Sequence, residues 1–312
     1  MRIAIMAAGA VGGYFGARLA AAGHEVVFFA RGANLEAIRS RGLRVESARG
    51  NLHLKDVTAT DSAAGIAPVD VVLFAVKLWD SEQAARTIKP LLGETTRVIT
   101  VQNGVDGVAM IEPVVGAGKV VPGLAQINSV IASPGVISHT SQFHFLAFGH
   151  PDQRDDPTLS AFVEAGKTAG VDFVLSKQIE RDLWLKFTVL VALSSITAAT
   201  RLPIGVTRND LDGSNLILAI MREVVAVGRA SGAKLDVDFA DKAVVFVNGV
   251  ADAAKASMAH DLDRGNRLEL DWLAGRVVSL GRELNVPVPV CETIFAVLKP
   301  YRMGAPGRSG PH

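Results

Sequence analysis

Cysteine is almost missing from this chain: Cys291 is the only one in 312 residues. No disulfide can close within the chain and no thiolate cluster can hold a metal, so a reducing, cytoplasmic setting is expected. An excess of either charge is missing too, with 32 Lys+Arg against 31 Asp+Glu and a formal net charge of +1. Binding a phosphate backbone draws on a basic surplus that displaces counterions, so no nucleic-acid partner is expected. Charged residues make up only 20% of the chain against 49% hydrophobic, the opposite of a disordered composition. Long apolar runs are also lacking. The longest charge-free stretch in a helical region is Phe187 to Thr200, bounded by Lys186 and Arg201, short of the roughly 20 residues a bilayer crossing takes. The N-terminal MRIAIMAAGAVGG reads as a strand passing into a glycine-punctuated helix rather than a signal peptide, and no membrane partner is expected. The seven histidines are scattered, and His139 and His144 have no third ligand nearby, which predicts no metal site.

Apolar runs at Arg2–Met6, His24–Ala30, Val69–Val76 and Arg97–Val101, separated by amphipathic stretches, predict strands alternating with helices in a parallel sheet. Alternation between Leu43 and Thr60 predicts a hairpin-like excursion, and Gly135 to Gly149 predicts late antiparallel strands. After about Lys177 the spacing becomes helical, at Ile179–Ala199, Leu211–Ala230, Ala240–Ala254 and Leu262–Leu284. The expected architecture is α/β: a Rossmann-type parallel-sheet domain over residues 1–177, an all-α domain over 178–303, and a Gly/Pro-rich tail over 304–312 predicted to be disordered. The apolar helices of the second half could support a homodimer.

Residues 7 to 12, AAGAVG, are the dinucleotide fingerprint GxGxxG with Ala7 in place of the first glycine, set between a strand and a helix. Gly9 lets backbone approach a pyrophosphate, Gly12 permits close packing of helix on strand, and the helix N-terminus offers amides and a positive dipole end. A positive φ would be costly at Ala7. The second strand ends in Arg31, followed by Gly32 and Asn34. NAD-binding folds carry Asp or Glu there for the ribose diol, whereas a cation suits a 2′-phosphate, so NADPH is the expected cofactor. An ordinary exposed strand-end charge is the plainer alternative.

Lys186 sits in LWLKFTVLVAL, apolar on nearly every side. Desolvation there lowers an ammonium pKa toward the range useful for proton transfer, making Lys186 a candidate general acid, with a pair to Asp182 four residues earlier as the alternative. On the helix expected over Leu262–Leu284, Arg267 has Asp263 and Asp271 four residues to either side, which predicts an ordinary surface ladder, while Glu269 has no local cation. It either answers a charge elsewhere or lies on a solvated face. Ser257 reads by default as a helix N-cap. Lys77 and Gln102-Asn103-Gly104 follow strands on the carboxyl edge, where open α/β sheets bind ligands, with a turn at Asn103-Gly104 as the alternative.

Over essentially its whole length up to the tail, the chain resembles the ketopantoate reductases, or 2-dehydropantoate 2-reductases. The resemblance rests on AAGAVGGYFG, Arg31, VKLWDSEQA around Lys77, QNGV around Asn103, LWLKF around Lys186 and, most specifically, SMAHDLDRGNRLELDWLAGRVVSLGRELNVPVP from Ser257. It implies NADPH-dependent reduction of ketopantoate to pantoate, within pantothenate synthesis, from a cleft between the two domains. Hydride goes to the 2-keto carbon, Lys186 protonates the developing alkoxide and Glu269 holds the reacting hydroxyl. Further implied are cofactor contacts from Ala7, Ala8, Gly9, Ala10, Val11, Gly12, Arg31, Lys77, Asn103 and Ser129, and substrate contacts from Asn103, Lys186 and Ser257, the last to the substrate carboxylate. The chain departs from the family at Leu190, Ser194 and Ile204, where asparagines are typical, and Ser195 or Arg201 are candidate replacements. Loss of those partners leaves room for another 2-keto acid or carbonyl substrate. A noncatalytic NADP(H)-sensing module is a third reading.

Overall fold

The computed structural model describes residues 1–305. By contacts the chain divides into two compact units, one made of Met1–Gln102 and Asp106–Ile179, the other of Asn103–Val105 and the chain from Glu180 onward. Of the tail, residues 306–312 lie outside the described residues.

The first unit holds ten strands: β1 (Arg2–Met6), β2 (Glu25–Phe29), β3 (Leu43–Ser47), β4 (Leu52–Leu54), β5 (Thr58–Thr60), β6 (Val69–Phe74), β7 (Leu92–Thr100), β8 (Val120–Ser133), β9 (Val136–Phe148) and β10 (Asp172–Leu175). Its helices are α1 (Ala10–Ala21), α2 (Gly32–Arg41), α3 (Ser81–Ile88), α4 (Gly107–Val115) and α5 (Pro157–Thr168). The strand order is β4-β3-β9-β8-β7-β6-β1-β2-β5, with β10 also on β9. β1 runs parallel to β2 on one side and β6 on the other, so the direction of winding reverses beside β1 and opens a crevice at its carboxyl end.

Strand periodicity divides the apolar residues between two cores. Ile3, Ile5, Val26, Phe28, Val71 and Leu73 face one; Ala4, Met6, Val27, Phe29, Val72 and Phe74 face the other. Burial on both faces explains why these strands read as continuous apolar runs. Helix α1 lies close against this sheet because Gly12 and Gly16 face it: a Cβ on Gly12 would stand 2.2 Å from the Ala7 carbonyl oxygen, and one on Gly16 would stand 2.6 Å from Ile5 and Phe28.

Strand β8 has no counterpart in the sequence reading, because Pro122 and Gly123 interrupt its apolar run. The structure accommodates both. Pro122 is the last residue paired with β7, and from Gly123 onward the strand pairs antiparallel with β9 instead.

The second unit is helical: α6 (Ile179–Thr200), α7 (Ile204–Arg208), α8 (Leu211–Ala230), α9 (Phe239–Asn248), α10 (Ser257–Arg264), α11 (Ala274–Glu283) and α12 (Pro289–Leu298). Its core gathers Phe187, Val191 and Ile196 of α6 with Ile220, Met221 and Val224 of α8 and Val277 and Val278 of α11. By length and composition alone α6 could cross a membrane, but 56% of its apolar window is buried inside the fold. Two expected helices are shorter than the spacing suggests. The helix expected over Ala240–Ala254 ends at Asn248, and the one expected over Leu262–Leu284 is broken. Gly265 takes the left-handed conformation, φ 72°, the Gly265 N–H donates to the Leu262 carbonyl and the Asn266 N–H to the Asp261 carbonyl. This is a Schellman stop, and helix resumes only at Ala274.

Candidate active site

The turn after β1 has the geometry of an anion cradle. Gly9 caps α1 with no side-chain bond to its first-turn amides, and that turn carries no acidic residue. A Cβ on Gly9 would meet nothing within 4 Å, so backbone N–H groups of Gly9, Ala10 and Val11 are open to a ligand. Ala7 is not among the residues with positive φ, so it occupies the first-glycine position without left-handed strain.

Arg31 caps α2 at the end of β2 and is exposed. Asn34, read from sequence as a phosphate neighbour, is instead a brace: its Nδ2 donates to the Ala8 carbonyl at 3.0 Å and its Oδ1 accepts from the Gly135 N–H at 2.9 Å. Gln102 is likewise engaged structurally. Its Nε2 donates to the Val76 carbonyl and to Ser81 Oγ, and its Oε1 accepts from Thr100 Oγ1, tying the end of β7 to the loop after β6. That loop carries Lys77, whose Nζ lies 5.6 Å from the Trp79 ring centre. On β8 the Ser129 hydroxyl is shielded from solvent and finds no hydrogen-bond partner among the described residues. His139 and His144 also lie in this unit, in a polar cluster where Tyr14 Oη meets His144 Nδ1 at 2.9 Å and Ser47 Oγ meets His139 Nδ1 at 2.8 Å. Among the described residues no group of three His, Cys, Asp or Glu side chains is placed to hold a metal.

The helical unit contains Asn103, Lys186, Ser257 and Glu269. Lys186 lies in the second turn of α6, half-buried, just before the fully packed Phe187. Desolvation lowers its pKa to about 8, opposed by the carboxylate of Glu269, which raises it. Glu269 is 3% exposed, which overturns the solvated-face reading. Because Gly265 ends α10, Glu269 sits at the head of a short 3-10 turn over Leu270–Trp272 rather than on a long helix. The ladder expected around Arg267 dissolves for the same reason: Asp263 pairs with Lys255, Asp271 is near Arg302, and Arg267 lies over Trp272.

Ser257 is the first residue of α10 rather than its cap, a role held by Ala256, and it is exposed. Its hydroxyl is therefore not spent on the helix end. Leu190, one turn beyond Lys186, is half-buried. Ser194 and Ser195 are fully enclosed with hydroxyls lacking partners among the described residues. Ile204 is a core residue at 0% exposure, and Arg201 stacks over Tyr301. Thr197, absent from the sequence reading, bonds across to Ala256; its position three turns beyond Lys186 was the available signal.

Two family models match the chain in succession: ketopantoate reductase PanE/ApbA over residues 3–153 and its C-terminal counterpart over residues 178–302. A 2-dehydropantoate 2-reductase from Mesorhizobium japonicum is 29% identical, covering 96% of this chain and 97% of its own. The crystal structure of a PanE/ApbA family ketopantoate reductase from Ralstonia eutropha JMP134 superposes with a TM-score of 0.87 at 31% identity, over 97% of this chain and 98% of that one. A D-mandelate dehydrogenase solved with NADH and anilino(oxo)acetate shares the fold, with a TM-score of 0.86 at 20% identity over 97% and 98% of the two chains.

Proposed function

The chain belongs to the ketopantoate reductase family, oxidoreductases that act on 2-keto acids with a nicotinamide cofactor, and from that premise we propose that it reduces ketopantoate to pantoate using NADPH. The observation that carries the mechanism is Lys186, a desolvated ammonium lowered to about 8 with Glu269 as its charge partner.

A proton donor works best when its pKa lies near the working pH. Unperturbed, the ammonium would hold its proton too tightly; desolvated, it releases it readily. A nicotinamide cofactor held by the glycine turn and Arg31 would supply the hydride for C2 of the keto acid. Lys186 Nζ then donates its proton to the C2 oxygen as the carbonyl electron pair becomes an alkoxide, and the neutral amine is reprotonated from water. Its positive charge stabilises an oxyanion that develops only in the transition state, which raises turnover rather than mere affinity. Glu269 keeps Lys186 charged and accepts from the reacting hydroxyl.

Ser257 and the first-turn amides of α10 are suited to the substrate carboxylate, being donors at a positive dipole end. Asn103 is assigned to the substrate and the nicotinamide end. The open turn Ala7–Gly12 fits the pyrophosphate, with Lys77 and the unpartnered Ser129 hydroxyl as further cofactor contacts. Arg31, standing where an NAD-specific fold carries an acid, is assigned to the 2′-phosphate. A reducing, cytoplasmic setting suits the buried free thiol of Cys291.

A second substrate reading has its own support. Leu190, one turn beyond Lys186, stands where the family typically carries an asparagine, and loss of that hydrogen-bonding partner favours a 2-keto acid with an apolar substituent. Steady-state oxidation of NADPH and of NADH with ketopantoate beside linear, branched and aryl 2-keto acids tests both readings. Efficient turnover confined to ketopantoate with NADPH is the expected result. Preference for an apolar acid would transfer the mechanism to that substrate, a preference for NADH would remove the Arg31 assignment, and NADPH binding without turnover of any acid would point to a sensor.

A further inference from the structure

We propose that Thr197 is a positioning residue that sets Ser257 for the substrate carboxylate, an inference that rests on the role assigned to Ser257 above. Helix α6 carries three threonines whose hydroxyls donate back to the preceding turn: Thr188 to the Trp184 carbonyl, Thr197 to Leu193 and Thr200 to Ile196. Such back-bonding occupies the proton and leaves oxygen lone pairs free. Thr197 uses one of them to accept the Ala256 N–H at 3.2 Å. Ala256 is the N-cap of α10 and Ser257 its first residue, so a single hydroxyl joins the helix that carries Lys186 to the residue beside Ser257.

The placement follows from helix geometry. Eleven residues span three turns and return to within about 20° of the starting direction, so Thr197 shares the face of α6 that carries Lys186. The residues leading from α9 into α10 are not helical, and they are tied to α7 by the Ile204 N–H to the Ala254 carbonyl at 2.9 Å, the Gly205 N–H to the Asp252 carbonyl at 3.0 Å, Arg208 Nη1 to the Val250 carbonyl at 2.7 Å and Arg208 Nη2 to the Asp252 carboxylate. Those bonds anchor the strap to α7. The Thr197 bond registers its last residue on α6 itself. Thr197 is fully buried, so a side chain without the hydroxyl leaves no acceptor at that point on α6. Ser257 is the first residue of α10 and exposed, and no hydrogen bond from its hydroxyl is found among the described residues, so nothing within α10 itself fixes where that hydroxyl points.

Loss of the hydroxyl should therefore weaken the grip on the carboxylate in ground state and transition state alike, which raises KM and spares kcat. The test compares Thr197→Val, Thr197→Ser, Ser257→Ala and the Thr197→Val/Ser257→Ala double variant, using the 2-keto acid that the wild-type protein reduces fastest, well below the melting temperature. Thr197→Val is expected to raise KM about tenfold with kcat and the NADPH dissociation constant little changed. Thr197→Ser should restore KM, and Thr197→Val should add almost nothing in the Ser257→Ala background. If Thr197→Val does not fold, Thr197→Ala against Thr197→Ser gives the same comparison. A raised KM in Ser257→Ala with an unchanged KM in Thr197→Val would overturn the positioning role while leaving Ser257 in place. An unchanged KM in Ser257→Ala would overturn the Ser257 assignment itself, and a KM rise in Thr197→Val that is fully additive with Ser257→Ala would show that Thr197 acts elsewhere.

Discussion

Asp156 in the α/β unit and Lys186 in the helical unit are both drawn away from water, and their surroundings treat the charge differently. Asp156 caps α5 by accepting from the Thr158 and Leu159 amides, and it also takes hydrogen bonds from Arg97 Nε and His150 Nε2. Burial pushes its carboxyl pKa up, yet the bonds from His150 and Arg97 outweigh it and leave it below its ordinary value. For Lys186 the balance falls the other way: desolvation exceeds what Glu269 returns, and the group drops to about 8. Burial alone does not mark a reactive group. A charge whose hydrogen bonds overcompensate its desolvation fastens the fold, and one left undercompensated is ready to give up a proton.

The largest effect that could break this comparison lies at Lys186. Lys186→Ala is expected to lower kcat by about 10² to 10⁴ while NADPH affinity, measured by fluorescence titration, stays close to wild type. Retained turnover would end the general-acid assignment. At Asp156 the expected loss is of stability. Asp156→Ala strands Arg97 and uncaps α5, which should cost about 3 kcal/mol and lower the melting temperature by roughly 6–12 °C, with kcat at 25 °C preserved. A variant that melts like wild type would show that the network contributes nothing.

The smallest effect sharpens the contrast. If Lys186 is the general acid proposed above, the active form is the protonated one, so kcat/KM should be flat below its pKa and fall as pH rises through about 8. Because the Glu269 carboxylate raises that pKa, Glu269→Gln should move the falling limb to lower pH. An unmoved limb in a pH–rate profile would mean that Glu269 does not govern Lys186.

Much of the α/β unit was legible because its strands are buried on both faces, and such strands announce themselves as unbroken apolar runs: Arg2–Met6 was read to the residue. Strand β8 was not, since Pro122 and Gly123 are acceptable only where the strand exchanges one neighbour for another, a fact about its partners. In the helical unit Leu211–Ala230 was read to the residue from its apolar stripe. The region around Glu269 was misread, because helical spacing persists across Gly265 while the left-handed cap stops the helix there. The site divides along the same line. Lys186 stood out as a cation in apolar sequence, whereas Asn34 and Gln102, polar residues beyond the carboxyl ends of strands, proved to be braces.

Local sequence is enough to specify the parallel sheet with its glycine turn, the change to helices near residue 178 and the Lys186 segment, because periodicity and residue type act over a few neighbouring positions. Packing in three dimensions settles that the Glu269 carboxylate acts on Lys186 and raises its pKa, that Ser257 begins rather than caps α10, and that Thr197 accepts from the Ala256 N–H. The first and last of these depend on residues some 60 to 80 positions apart, brought together by packing of the helical core, and no local pattern carries information about where such partners meet.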